Sequence, residues 1–322
     1  MAKINESQLN PAKLYFSGAL VYGVGILIIK FLPYYQKTLS QLTKETLLFL
    51  YILYLIFSPL YFFFFAKENL NSKPYLALRG IFKIFSAFFK RKLAVVEKEE
   101  KVAYLFLLVK LFFLPIMVNF FFQNYSSLIS NIKSFSWFPF LLTLIFFIDT
   151  FIFAAGYAVE FPFLGNMVRS VEPTFFGWFV ALICYPPFNS VAGQYVPWGA
   201  NDYAVFWGGT WTNIIRIIIV ALLIIYVWAT IALGFKSSNL TNRGIVSKFP
   251  YSVIRHPAYV SKSMVWWITL LPAISLTFAA GMLFWTAIYF FRAYTEERHL
   301  SQDKDYLEYC AKVKYRFIPF VL

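Results

Sequence analysis

Apolar runs and short polar breaks alternate along this chain, and the apolar runs are long. A helix that crosses the hydrocarbon core of a bilayer needs about 20 mostly apolar residues, with a range of about 17–25. Runs of that length lie near residues 13–33, 45–66, 102–123, 137–158, 174–190, 212–234, 258–274 and 276–293. The pattern predicts about eight transmembrane helices. The fifth run contains "CYPPFN", and paired prolines end or kink a helix. It reads either as a span or as a re-entrant segment. The last two runs are separated only by "LLPAIS", which predicts a tight helical hairpin whose two flanks return to one side. The stretch "YLALRGIFKIFSAFFKRKL" spaces basic residues among aromatic ones. It reads as an amphipathic helix lying on the membrane surface, with a short soluble helix as the plainer alternative.

Composition sharpens this picture. Of the 322 residues, 60% are hydrophobic, 22% aromatic and only 14% charged, whereas a soluble domain is about 45–50% apolar and about 25% charged. The expected class is an all-α polytopic integral membrane protein with a C-terminal helical hairpin and a cytoplasmic amphipathic tail. The polar start "MAKINESQLNPAK" shows no cleavable signal peptide, because the first apolar run is too long for a signal core. The net charge of +14 would point to nucleic acid in a soluble protein. In a membrane protein it points to topology and to anionic lipid at the cytoplasmic face. Basic residues crowd between Lys67 and Lys101. Placing that loop in the cytoplasm also puts both termini and the segments near Arg169 and Arg243 there. The opposite loops then hold only Lys37, Lys44 and Lys133. Cys184 and Cys310 sit in different contexts, so neither a disulfide framework nor a metal site is expected.

Candidate chemistry gathers at the two flanks of the hairpin. The first flank carries Tyr251, Arg255, His256, Pro257 and Tyr259. The second carries Arg292, Glu296, Glu297, Arg298 and His299, followed by Tyr306, Tyr309, Tyr315 and Arg316. Both histidines of the chain fall in this zone, and five of its 15 acidic residues lie between Glu296 and Glu308. Taken singly, each has a plain explanation: snorkelling arginine, interfacial tyrosine, acidic helix start. Polar groups at an apolar boundary are costly and tend to be functional. Their conjunction on both flanks of one hairpin points to a site.

The sequence "RHPAY", the hairpin, "TEE" and then "DYLEYCAKVKYRFIPF" resembles the isoprenylcysteine carboxyl methyltransferase family and its bacterial and archaeal relatives. These are related in turn to membrane phospholipid N-methyltransferases. The resemblance covers roughly the last 90 residues, and "GNMVRSVEPTFFGWFVALICYPPFN" is similar to bacterial members further upstream. It implies an S-adenosylmethionine site in the cytoplasmic half, built without a soluble Rossmann fold or a glycine-rich phosphate loop. On the family pattern Tyr251, Arg255, His256, Pro257, Tyr259, Glu296, Glu297 and Tyr309 would bind the cofactor, and Arg292, Glu297 and Arg298 would be catalytic. The implied acceptor is lipidic or prenylated, a carboxylate among the candidates. Residues 171–322 would form the methyltransferase-like region and residues 1–170 an N-terminal transmembrane addition. The chain departs from the pattern at Phe249, where relatives have glycine. It departs again at Tyr294, where they often have a basic residue, and at Arg298-His299, where they have acids. Two other readings stand beside this one. Sterol reductases share the Arg-His-Pro hairpin and use NADPH. A non-catalytic transporter or lipid-binding protein could use Lys30, Lys110, Asp149 and Arg216, which lie in or near the spans.

Overall fold

The computed structural model describes residues 10–65, 72–134 and 136–319. The polar leader before Asn10, Lys67 of the basic loop and Phe320 of the terminal motif lie outside the described residues. The architecture is the expected all-α polytopic membrane fold, and six helices are long and apolar enough to cross a membrane. The chain packs as two units, Met1–Asn119 and Phe120–Leu322.

The first unit starts at α1 (Pro11–Phe31), where Asn10 Oδ1 accepts the Ala12 amide at 2.9 Å and a proline opens the first turn. The short α2 (Pro33–Thr38) turns the chain into α3 (Gln41–Phe65). Helices α1 and α3 run antiparallel, with Leu14 beside Phe62, and Tyr51 OH donating to the Ala19 carbonyl at 2.8 Å. Gly18 lets them close, because a Cβ there would overlap the Tyr54 hydroxyl. Helix α4 (Lys73–Phe89) is the expected amphipathic element. Leu76, Ala77 and Gly80 face Ala103 and Tyr104 of α5 (Lys98–Ser134), while Phe82, Phe85, Phe88 and Phe89 stay exposed. At 37 residues α5 is about 55 Å long, well beyond a hydrocarbon core of about 30 Å. Its polar ends, Lys98–Lys101 and Asn131–Ser134, continue the helix outside the apolar stretch.

The second unit holds the rest of α5, then α6 (Trp137–Ala158), the short strand β1 (Ser170–Val171), α7 (Phe175–Leu182), α8 (Phe188–Tyr195) and α9 (Gly209–Leu233). There follow β2 (Thr241–Asn242), α10 (Pro257–Leu270), α11 (Leu276–Leu300) and α12 (Lys304–Lys312). Strands β1 and β2 pair antiparallel, Ser170 opposite Asn242 and Val171 opposite Thr241.

Side-chain register fixes the course of the chain here. Arg216 lies over the Phe138 ring at 4.7 Å, Asp149 accepts from Tyr226 at 2.8 Å and Thr230 at 2.6 Å, and Gly156 packs on the Ser237 carbonyl. The partners advance together, so α6 and α9 are parallel. The connection between them must therefore return across the membrane. It does so through α7 and α8, broken at Cys184–Pro187. The run at 174–190, which reads either as a span or as a re-entrant segment, is thus two short helices of eight residues each. Proline cannot donate the amide that a continuous helix needs there.

The expected span at 258–274 is likewise shorter, 14 residues of α10 and a tight turn at Leu271–Ala273. The loop after α8 fills the space beyond it. Trp198 meets the rings of Trp266 and Trp285 edge-on at 4.5 and 5.7 Å, and Phe206 is buried in the core with Val265 and Ile219. Gly281 permits this, since a Cβ would collide with the Pro197 carbonyl.

Candidate functional site

Helices α10 and α11 meet at one end of the second unit, on the side of β1 and β2. Pro257 opens α10, where its missing amide costs nothing. The residue before it, His256, is held by backbone contacts to the tail: the Arg255 amide donates to the Tyr315 carbonyl and the His256 amide to that of Arg316, both at 3.0 Å. Arg255 Nε also donates to the Val313 carbonyl at 2.8 Å. The terminal motif is therefore laced along the Arg-His-Pro segment.

Glu297 closes the clasp. His256 Nε2 lies 3.1 Å from Oε1, Arg316 Nε 3.0 Å from Oε2 and Arg255 Nη1 3.4 Å away. Two guanidiniums and an imidazole converge on one largely buried carboxylate. His256 also stacks between Tyr259 and Phe317, at 5.5 and 5.4 Å. Residues more than 40 apart in sequence thus meet at the hairpin base, as its geometry predicts.

Glu296 points elsewhere, because neighbours on a helix are about 100° apart. It accepts the Tyr259 hydroxyl at 2.9 Å and lines a cavity of about 60 Å³. Tyr259, Arg292 and His299 line it from α10 and α11, Asn239 and Thr241 from the segment before and within β2, and Glu172 from the segment after β1. Arg292 is buried; its Nη2 donates to Asn239 Oδ1 at 2.9 Å, and its guanidinium lies 5.4, 5.2 and 5.9 Å from the rings of Tyr259, Tyr289 and Tyr185. Glu172 is 2% exposed. Its Oε1 accepts from Arg298 at 2.7 Å, while its Oε2 is buried without a hydrogen-bond partner among the described residues. Gly177 makes room for this carboxylate, since a Cβ there would overlap its side chain.

The expected site residues therefore divide. Tyr259, Arg292 and Glu296 reach the cavity. Arg255, His256 and Glu297 hold one another and the tail beside it. Arg298 turns to Glu172 and to Thr174, whose hydroxyl it meets at 2.6 Å. Tyr309 donates to the Tyr251 carbonyl at 2.7 Å and packs with Tyr306 and Val313, so α12 is fixed to the segment preceding Arg255. Burial raises the Tyr309 phenol above its ordinary range.

Sequence reasoning missed Glu172, Asn239 and Thr241. The polar run "SSNLTN" just after an apolar span was the available signal for two of them, and the acid in "VEPTFF" for the third. A latch beyond them ties β1 to the base of α12: Arg169 Nη1 lies 2.9 Å from Asp303 and 2.6 Å from Asp305, and Asn242 donates to Asp303 at 2.8 Å. Burial disfavours the Asp303 charge, but these donors outweigh it and hold the carboxyl below its ordinary range.

The polar residues inside the spans have local partners. Asp149 is satisfied by Tyr226 and Thr230. Lys110 lies over Tyr22 at 4.8 Å, Lys30 over Phe31 at 5.5 Å, and Lys262 among Phe146, Tyr226 and Trp266 at 5.0–5.8 Å. A larger open cavity of about 980 Å³ lies in the first unit, among residues that carry none of the candidate chemistry.

Residues 209–303 match the model of the phospholipid methyltransferase family. That family is related to the isoprenylcysteine carboxyl methyltransferases which the terminal motifs resemble. The match indicates a membrane methyltransferase acting on lipid. It runs from α9 through α11 and takes in Arg255, His256, Tyr259, Arg292, Glu296 and Glu297, but neither Glu172 nor the tail that completes the clasp. No curated protein matches the chain.

Proposed function

We propose that the chain is an integral membrane methyltransferase that uses S-adenosylmethionine to methylate a lipidic acceptor, with residues 171–322 as its catalytic region. The observation that carries this is the cavity beside the Arg-His-Pro clasp, lined by Arg292, Glu296, Tyr259 and the buried Glu172, whose Oε2 has no hydrogen-bond partner among the described residues. A buried carboxylate oxygen left unpaired is costly, and a cationic ligand group would satisfy it.

S-adenosylmethionine carries an ammonium, a sulfonium and a carboxylate, and supplies an activated methyl group. The lining fits that set. Glu172 and Glu296 offer acceptors for the ammonium. Asn239 and Thr241 offer donors for a carboxylate, and Tyr259 a ring and a hydroxyl. A cavity of about 60 Å³ takes the charged end. The same two carboxylates would repel the phosphates of NADPH, which disfavours the reductase reading.

The work left to the protein is alignment and exclusion of water. Arg292 is the residue to orient an acceptor carboxylate or phosphate, held over three tyrosine rings that keep water from the hairpin interior. Glu297, Arg255 and His256 are positioning residues: they set the angle between α10 and α11, and with it the spacing of Tyr259 and Glu296. Arg298 keeps Glu172 in place. In this reading the site, both termini and the basic loop lie on the cytoplasmic side, and the acceptor enters laterally from the bilayer. A prenylated carboxylate is one acceptor of the right chemistry.

Calorimetric titration of the purified chain with S-adenosylmethionine and, separately, NADPH tests the reading. Binding of the methyl donor is expected. Glu296→Gln should weaken it roughly ten- to a hundredfold, the worth of one charge-assisted hydrogen bond. Binding of NADPH alone, or of neither ligand, would overturn the proposal. Transfer of a labelled methyl group into a membrane lipid extract would then identify the acceptor.

A further inference from the structure

Glu172, Glu296 and His299 all line the cavity of about 60 Å³. A space that small brings its lining groups to bear on a single ligand group. Glu172 and His299 are buried, at 2% and 4% exposed, whereas Glu296 is exposed. Glu296 and His299 are three residues apart on α11, so they share one face of that helix. Glu172 reaches the same space from the segment after β1, and the imidazole lies within electrostatic reach of both carboxylates.

Each of the three keeps one acceptor position open. Glu172 Oε1 takes the Thr174 amide, the Thr174 hydroxyl and Arg298, while its Oε2 takes nothing among the described residues. Glu296 Oε2 accepts the Tyr259 hydroxyl, and its Oε1 has no hydrogen bond among the described residues. His299 Nε2 lies 2.9 Å from the Ser170 hydroxyl, and its Nδ1 has no hydrogen bond among the described residues. A neutral imidazole has one N–H and one bare nitrogen. With Nε2 donating to Ser170 Oγ, the bare nitrogen is Nδ1. A primary ammonium has three N–H donors and no acceptor, so it matches three open acceptors around one small space. A hydroxyl would leave a carboxylate oxygen without a donor, which is costly in a buried site. A quaternary ammonium has no N–H to give.

We propose that His299, oriented by Ser170, is the third acceptor for the primary ammonium of S-adenosylmethionine, beside Glu172 and Glu296. The assignment rests on the methyltransferase reading above. It adds to that reading a residue that selects the cofactor by its amino group.

Calorimetry of the purified chain with three ligands tests it: S-adenosylmethionine, its analogue with hydrogen in place of the α-amino group, and the decarboxylated cofactor. Two variants separate ligand binding from a tether to β1. A glutamine amide reaches the place of Nε2, so it can still meet Ser170 but leaves the place of Nδ1 empty. An asparagine amide reaches the place of Nδ1 and leaves Ser170. His299→Gln should weaken S-adenosylmethionine and the decarboxylated cofactor each by about tenfold, and should bind the desamino analogue as the wild type does. His299→Asn should bind all three as the wild type does. Equal loss of all three ligands in His299→Gln, or loss in His299→Asn with retention in His299→Gln, would make His299 a tether and overturn the proposal. A loss in His299→Gln that disappears with the decarboxylated cofactor would assign His299 to the carboxylate and overturn it as well. Failure of the wild type to bind S-adenosylmethionine is a separate result, which would overturn the methyltransferase reading and this assignment with it.

Discussion

Replacing Glu297 by glutamine tests whether the clasp holds the hairpin or binds the ligand. The substitution keeps the shape and one acceptor oxygen but removes the charge that two guanidiniums and an imidazole share. Breaking a buried ion pair by neutralising one partner costs about 3–5 kcal/mol. Two features lower that figure here. The Arg255 contact is long, at 3.4 Å, and the Arg316 side chain is 51% exposed, so solvent screens it. A loss of about 2–3 kcal/mol remains. For a unit of this size about 1 kcal/mol moves the unfolding midpoint by roughly 2–4 °C, so Glu297→Gln should melt about 4–12 °C below the wild type. Intrinsic fluorescence during heating in one detergent measures this directly. The contrast is Glu296→Gln, which keeps an acceptor for the Tyr259 hydroxyl and removes only the charge, and should melt within about 1–2 °C of the wild type, while losing donor affinity. If Glu297→Gln melts with the wild type and loses donor affinity first, Glu297 is a ligand and the clasp has been misassigned.

Other expectations follow from the same geometry. Glu172→Gln should weaken the methyl donor, whereas Arg298→Gln, which removes the same ion pair but keeps the unpaired oxygen, should affect affinity less; equal losses would mean that only the pair matters. Asp149→Ala strands the hydroxyls of Tyr226 and Thr230 inside the unit and should cost about 1–3 kcal/mol, read in the unfolding midpoint. Gly281→Ala drives a methyl into the Pro197 carbonyl and should cost about 1–3 kcal/mol by displacing the loop that carries Trp198. Asp303→Asn keeps the cap on α12 and loses the charge facing Arg169. Because the folded-state Asp303 carboxyl lies below its ordinary range, its stabilisation is present at pH 7 and above the unfolded value of about 3.9, and is lost as pH falls through the folded value. The variant should therefore melt below the wild type at pH 7, and the gap should close in acid.

The sequence itself carried the local facts. An apolar run of about 20 residues becomes a helix in a bilayer, because only a helix pairs every backbone amide within one segment. The six long helices, the C-terminal hairpin and the gathering of charge at its flanks were therefore legible, and so was the amphipathic α4. Other features needed the packed chain. Runs of apolar residues do not say which helices lie parallel, and it is the parallel packing of α6 on α9 that forces α7 and α8 to cross as a broken pair. Glu296 and Glu297 are adjacent letters of one motif. Only the rotation of α11 against α10 decides that one faces the cavity and the other the clasp. Glu172 stands more than 120 residues from Glu296, and it becomes a neighbour through the β1–β2 pairing and the space left by Gly177. Backbone satisfaction acts within a segment and can be read along the chain. Which side chains share a cavity depends on the angle and rotation between segments, and those are set by contacts that no single stretch of sequence contains.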